Sequence, residues 1–587
     1  MNRIGLLLVA ALAVLAAYLS LRTRIEDGGT PGWDSASHGV QGYALAQDVV
    51  RFDVANLAAD ALGHRYRYPP GHPILLAIAY LIFGPSWWTA IGVSALLFAA
   101  LAVVLYVTAE SKAAGWISAL LALTCPALLA LSGMIMLDLP AAILMALSLR
   151  LYARSLEDDR AVRPLGWTLT VFMLTAAQYA ACAIVTLLAF ELWRSRTWVR
   201  ESLARFVKSR ALYHPIHILI ALALLTSAAI RLSGGWKIGA LSMSRAGGPM
   251  IAAALLAGVR VAWLCWKRRV ELRAVPKRYR DIFLTAVIPI YVWVFVIYPP
   301  RFQQFAEWIS RPPEVHERTD PAHWTFYPEY FVNEGHVAFF VSALVASLVV
   351  ISSLRTKLER VRFYQWAVIA GTILVLGHHA RQERFIAPFL VAWWILASET
   401  LVLHLPSMRV RIAGLAVVSV LILVPGVELY RSGLRSAVAP PAVHRQHEST
   451  LRHAVRDIGD AKSIRVIGGV DGLSRHLFEW ELRKKFDLRK VRLRFNLDLP
   501  DDLTDPDGPR KVFDAWLSKD PEEVVVALEP EEFEKRPPRP VGEIKKSDHD
   551  WPEFTMRYLR ETDKYRMSTG MWGNVFPVGY RIYRRRT

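Results

Sequence analysis

The chain has 587 residues, 53% of them hydrophobic and only 21% charged. Soluble domains carry about 25% charge, and the apolar residues here fall in long blocks, which excludes a disordered chain and a wholly soluble enzyme. Three cysteines (Cys125, Cys182, Cys265), each inside an apolar block, exclude a disulfide scaffold and a Cys-based zinc ribbon, and the net charge of +19 is judged by where it sits.

A helix needs roughly 20 apolar residues to cross about 30 Å of hydrocarbon. In chain order the candidate spans are Ile4–Ser20, Trp87–Ala109, Trp116–Leu131, Leu139–Ala153 and the long block Leu165–Leu192. They continue with Pro215–Leu232, Pro249–Trp266, Ile282–Tyr298, His336–Ser353, Phe363–Gly377, Phe385–His404 and Ile412–Tyr430. The block Leu165–Leu192 is too long for one span and is centred on polar Gln178 and Tyr179, so it reads as two short helices with a tight turn between them. The expectation is a polytopic α-helical membrane protein with about thirteen transmembrane helices.

Charge sets the sidedness. With the N-terminus in the cytoplasm, the inner segments are Arg194–Arg210, Lys267–Arg280, Arg355–Arg362 and Met408–Arg411, all basic. The outer segment Arg301–Glu334 holds Glu307, Glu314, Glu317, Asp320, Glu329 and Glu334 against Arg301, Arg311 and Arg318. This is the positive-inside pattern, so the basic excess requires no nucleic acid. The first span, with Arg3 and no small-x-small cleavage site before Arg22, reads as an uncleaved anchor. A multi-pass protein of the plasma (inner) membrane follows. Its membrane domain is residues 1–434, with outer loops 21–85 and 299–335 and outer-face interfacial helices. Residues 435–587 form a small soluble extracytoplasmic α/β domain, predicted from strand-like Ile464–Ile467, Val491–Phe495, Val524–Leu528 and Tyr580–Tyr583 with helix-like Leu473–Lys485 and Pro509–Leu517 between them.

Ionisable groups concentrate at the outer face. Pro31-Gly32 breaks the chain, and Asp34 then opens a helix running to about Phe52. Asp34 reads either as that helix's cap or as a carboxylate facing a cavity, able to take a proton from an acceptor. Arg65, Arg67 and His72 flank a run, Ile74–Phe83, too short to span a bilayer. They either snorkel to headgroups or line an anion site for a lipid phosphate. Asp138 starts a span just before Pro140, where the helix dipole favours it, yet ionisable groups at membrane depth are usually functional. His378, His379, Arg381, Glu383 and Arg384 crowd one short outer turn: a self-paired turn, or cations for a phosphate. With His38, the residues His378, His379 and Glu383 admit a divalent cation, although no spacing is diagnostic of a metal. Gln178 and Tyr179 can hydrogen-bond a sugar or satisfy the turn backbone.

Four elements, in order over roughly Met1–Tyr430, resemble the GT-C glycosyltransferases, in particular the protein O-mannosyltransferase and lipid A aminoarabinose transferase superfamily. They are Trp33-Asp34 at the start of a helical first outer loop; Tyr68-Pro69-Pro70-Gly71-His72-Pro73 with a short apolar helix ending in Phe83-Gly84-Pro85-Ser86; Asp138-Leu139-Pro140; and Arg384-Phe385 followed by Pro388. The resemblance implies sugar transfer from a polyprenyl-phosphate donor to a lipid, glycan or protein acceptor on the outer face. It implies Asp34 as catalytic base and Arg67 and Arg384 at the phosphate; Asp138, on the same face, is the second catalytic candidate, orienting the acceptor, the sugar or a cation. Three positions depart from the family pattern: Ser35 follows Asp34 where the family often has Glu, Tyr68 precedes Pro-Pro, and Gln178 stands where the family has Lys. A secondary transporter explains the spans equally well but calls for midplane polar groups; a scaffold presenting the C-terminal domain leaves the Asp34 and Arg384 clusters unexplained.

Overall fold

The computed structural model describes residues 3–27, 33–61, 68–208, 214–233, 236–238, 241–243, 247–267, 276–297, 358–376, 383–404, 408–436, 453–468, 475–485, 492–495, 524–530, 565–572 and 578–585. The predicted span His336–Ser353, the outer loop 299–335 and the predicted helix Pro509–Leu517 lie outside them.

The described chain is mostly helical. α1 (Arg3–Asp27) packs along α5 (Trp87–Thr108). Small residues make that approach close: Ala13, Ala16 and Ala17 are buried, and Gly5 sits against the Tyr106 hydroxyl. Ile4, Leu7, Val14 and Leu15 face outward. Between these two helices the first loop folds as three helices, α2 (Trp33–Val50), α3 (Val54–Ala61) and α4 (Gly71–Phe83). α4 has 13 residues, about 20 Å at 1.5 Å per residue, too short to cross a bilayer. Gly84, at φ +83°, ends it in a conformation that side chains resist. Ser86 then caps α5, accepting from the Thr89 amide at 3.0 Å.

α6 (Lys112–Leu123) and α7 (Pro126–Ser132) occupy the predicted span Trp116–Leu131 but are bent by 65°. The single straight helix expected there is corrected by Pro126, which has no amide hydrogen and cannot continue the ladder from α6. α8 (Asp138–Ser155) runs through the core. The block Leu165–Leu192 divides as expected, into α9 (Val162–Thr175) and α10 (Ala177–Arg194), with the break at Ala176. α11 (Arg196–Lys208) is followed by an apolar pair, α12 (Pro215–Ser233) and α13 (Gly247–Lys267). A short hairpin joins them, β1 (Trp236–Ile238) with β2 (Leu241–Met243). α14 (Lys277–Ile297), α15 (Glu359–Leu376), α16 (Ala387–His404) and α17 (Met408–Ser436) complete the helical part.

Among the described residues three helices are long and apolar enough to cross a membrane, Arg3–Arg22, Trp87–Thr108 and Lys277–Ile297, or four if α6 with α7 is one broken span. The other apolar helices among the described residues are shorter or interrupted by charge; the predicted segments that lie within the described residues recur as helices, not all of them as uninterrupted spans.

The bundle is pinned internally by ion pairs. Arg150 of α8 and Glu399 of α16 meet at 2.5 Å, with 3% and 9% of their side chains exposed. Arg150 also donates to the Tyr364 hydroxyl at 3.3 Å, and the Glu110 amide donates to Glu399 at 3.2 Å. Near the ends of α8 and α10, Glu191 accepts from Tyr152 at 2.5 Å and from Tyr279 and Arg194 at 3.2 Å each.

The C-terminal part contains a five-stranded sheet in the order β4-β3-β5-β7-β6: β3 (Ser463–Gly468), β4 (Arg492–Phe495), β5 (Val524–Pro530), β6 (Tyr565–Trp572) and β7 (Val578–Arg585). β3 lies parallel to β4 and β5, while β7 runs antiparallel to β5 and β6. Central β5 reads Val524-Val525-Val526, all fully buried, as a strand covered on both faces should. The helix α18 (Arg475–Lys485) falls where the sequence placed one.

The buried pair yields a stability prediction. Glu399→Leu leaves Arg150 charged and unpaired and should cost about 3–5 kcal/mol, whereas Arg150→Met with Glu399→Leu should recover most of it. Thermal unfolding of the detergent-solubilised protein measures both; equal loss in the single and double variants would contradict this account.

Candidate functional site

α2 begins at Trp33, so Asp34 is its second residue rather than the residue before it. His38, one turn on, and Gln41, two turns on, follow Asp34 at helical spacing. Both are buried, and both meet the segment ahead of α4. The His38 ring lies 4.1 Å from Tyr68 and 5.2 Å from His72, and the Gln41 amide donates to the Tyr68 carbonyl at 3.5 Å. Gly42 brings the helices together, since a Cβ there would press on Leu76 and the Pro73 carbonyl.

The Pro-Pro-Gly-His segment also reaches the α9–α10 break. Gly71 lies against Leu174 and Thr175, with no room for a side chain. Just beyond, in the first turn of α10, Gln178 is half-buried and Tyr179 is 3% exposed. The Tyr179 hydroxyl donates to Asp138, the first residue of α8, which is 2% exposed. The Tyr179 ring lies edge-on to Phe389 at 6.1 Å. Two residues before Asp138, the Met136 sulfur accepts from Arg384 Nη1 at 3.3 Å. The Arg384 guanidinium stands 5.0 Å over Phe385.

Four contacts (His38 with His72, Gly71 with Thr175, Tyr179 with Asp138, and Arg384 with Met136), joined by short stretches of chain, thus lead from α2 to Arg384. Of the residues singled out in the sequence, this places His72, Asp138, Gln178, Tyr179 and Arg384 in one neighbourhood. Arg65, Arg67, His379 and Arg381 lie outside the described residues, as do the side chains of Asp34 and Glu383. Among the described residues no three His, Cys, Asp or Glu side chains gather closely enough to hold a metal ion. His38, Gln41 and Met136 belong to the same neighbourhood without having been assigned a part in it. Spacing of four and seven from Asp34 was the available signal for the first two; nothing local marks Met136.

His72 is buried, and among the described residues neither ring nitrogen has a hydrogen-bond partner. Burial lowers its pKa to about 4, so the imidazole is neutral at neutral pH and offers a hydrogen bond rather than a positive charge.

No known family profile matches the chain, and no curated relative does. Solved structures do. ArnT from Cupriavidus metallidurans bound to undecaprenyl phosphate aligns over 99% of this chain and 98% of its own, at 13% identity and a TM-score of 0.52. The apo state of the same protein covers 98% and 97%, at 12% identity and 0.51. The fold is GT-C. An oligosaccharyltransferase from Archaeoglobus fulgidus, tethered to an acceptor peptide, aligns over 99% of this chain and 74% of its own, at 13% identity and 0.48. The GT-C likeness runs past the first 430 residues, where the sequence motifs lie, and takes in the C-terminal sheet.

The buried His72 makes a pH prediction. The unfolded imidazole binds a proton below about pH 6.5, while the folded one waits until about 4. Stability is therefore lost as pH falls through that window, by about 2 kcal/mol at pH 5 and roughly 3 kcal/mol at pH 4. His72→Phe should remove this component. Melting curves of the two proteins at pH 7 and pH 5 test it; parallel shifts would show that His72 does not titrate in this way.

Proposed function

We propose that the chain is a membrane glycosyltransferase. It moves a sugar from a polyprenyl-phosphate donor to a lipid, glycan or protein acceptor at the outer face of the inner membrane. The N-terminus is cytoplasmic and the C-terminal domain extracytoplasmic. One observation supports this reading: a buried carboxylate held by a tyrosine (Asp138, Tyr179), an arginine (Arg384) and the opening turns of α2, far apart in sequence, are linked by contacts and short stretches of chain. The fold supports it, because a solved structure of the same fold contains undecaprenyl phosphate.

Nucleotide sugars are cytoplasmic, so transfer on the outer face requires a sugar already carried across on a lipid. In the proposed step the acceptor oxygen attacks the anomeric carbon in line with the departing phosphate. Its proton passes to Asp34, acting as general base. The bond from the anomeric carbon to the phosphate oxygen breaks, and the electron pair leaves with the polyprenyl phosphate. Arg67 and Arg384, with Arg65, Arg381 and His379 nearby in sequence, meet that charge as it develops. A single displacement inverts the anomeric configuration. Asp138 orients the acceptor or the sugar, and the Tyr179 hydroxyl fixes the rotamer in which it does so. In this scheme Glu383 and Gln178 hydrogen-bond the sugar, and neutral His72 offers a hydrogen bond beside the phosphate.

Radiolabelled transfer from a polyprenyl-phosphate sugar by the protein in lipid vesicles tests the assignment, with solute uptake by the same vesicles as its alternative. Asp34→Asn should lower turnover by about 100-fold or more while the protein accumulates normally in the membrane. Unchanged turnover in that variant removes Asp34 from the mechanism. Tyr179→Phe, which removes the hydroxyl that donates to Asp138, should lower turnover by about tenfold.

A further inference from the structure

α2 has two working faces. His38 and Gln41 turn toward residues 68–72; Gly39, Tyr43 and Gln47, spaced four apart, follow another stripe of the helix. Along that second stripe it meets α18 of the C-terminal part. Trp480 of α18 is 1% exposed. Its ring stacks on Trp87 at 4.1 Å and lies 4.7 Å from Tyr43 and 5.7 Å from Tyr80. Trp87 in turn lies on the bare backbone of Gly39, where a Cβ would collide with the indole. Beside this stack the Gln47 amide donates to the Arg483 carbonyl at 3.2 Å, and Arg483 Nη1 donates back to the Gln47 oxygen at 3.3 Å. Glu479 holds the same guanidinium at 2.8 Å.

Aromatic rings bury large areas and lose little rotamer freedom, so such a cluster fixes position as well as contributing energy. A helix is stiff along its axis. Holding it at Gly39, Tyr43 and Gln47 sets the height and rotation of its first turn, where Asp34 stands. Trp480 lies more than 400 residues from Asp34 in sequence, yet its ring rests on Trp87, and Trp87 lies on Gly39, five residues along α2 from Asp34.

We propose that Trp480 is a positioning residue for sugar transfer: through Trp87 and Tyr43 it clamps α2 and so sets where Asp34 meets the acceptor. The proposal rests on the glycosyltransferase reading above. It makes the C-terminal domain a working part of the site, because α18 packs on this stripe of α2 together with Trp87 of α5 and Tyr80 of α4.

The full-length protein in lipid nanodiscs tests it, comparing Trp480→Ala and Trp480→Phe with the unaltered chain. Three quantities are read: amide hydrogen exchange across residues 35–47, transfer turnover, and affinity for undecaprenyl phosphate. Trp480→Ala should raise exchange by about tenfold or more and lower kcat by between about tenfold and 100-fold, since small misplacements of a reacting group are costly. Undecaprenyl phosphate affinity should stay within about twofold, and Trp480→Phe should restore both protection and most of the turnover. Unchanged exchange in Trp480→Ala overturns the proposal, and so does raised exchange with full turnover. A parallel loss of undecaprenyl phosphate affinity also overturns it, assigning Trp480 to general folding of the outer face. If Trp480→Ala does not accumulate, Trp480→Leu is measured in its place. If the unaltered chain transfers no sugar, the glycosyltransferase reading falls, and the exchange comparison alone decides whether Trp480 clamps α2.

Discussion

The hydrogen bond from the Tyr179 hydroxyl to Asp138 can form only because the chain breaks at Ala176. A continuous helix through Leu165–Leu192 would carry Tyr179 away from the start of α8. With the break, α9 ends against Gly71, and the first turn of α10 presents Tyr179 to Asp138. A carboxylate this deeply buried needs a donor, and the donor comes from a turn that itself serves as a packing surface for the Pro-Pro-Gly segment. Gly71 permits that contact, since any side chain there would drive the two segments apart.

The two ends of the bundle are stabilised differently. Around Arg150, Glu399 and Glu191 the polar groups are paired with one another, locking α8, α10, α15 and α16. Around Asp138, His72 and Arg384 the contacts include a tyrosine hydroxyl, an aromatic ring and a thioether. Ion pairing rigidifies the first region, while in the second the Tyr179 hydroxyl, the His38 ring and the Met136 sulfur help to fix side-chain positions.

Much of this was legible in the residues themselves. Apolar blocks marked the helices because burial in a bundle or in lipid imposes the same composition along a segment. The split of Leu165–Leu192 followed from its length and its polar centre. α2 followed from the Pro31-Gly32 break, and its start missed by one residue. The bend at Pro126 was written in the sequence but overridden by the unbroken hydropathy around it. β6 escaped notice because its ladder shifts between Met567 and Thr569, which spoils the alternation that identifies a strand. The link from Trp480 to Trp87 had no local signature at all. Tertiary contacts between segments hundreds of residues apart leave no period to read, and a tryptophan in an amphipathic helix looks the same whatever it packs on.

The sheet carries a consequence for how copies of this protein coexist. Among the described strands β4 and β6 form its two rims. β4 is four residues long and bears Arg492 and Arg494, and β6 is kinked at its irregularity. A short, cationic rim repels its own kind, and a kinked one is a poor template for a straight partner. Neighbouring molecules crowded in the plane of the membrane therefore meet without zipping their backbones together, and the exposed lobes resist the cross-strand aggregation that open sheets otherwise invite.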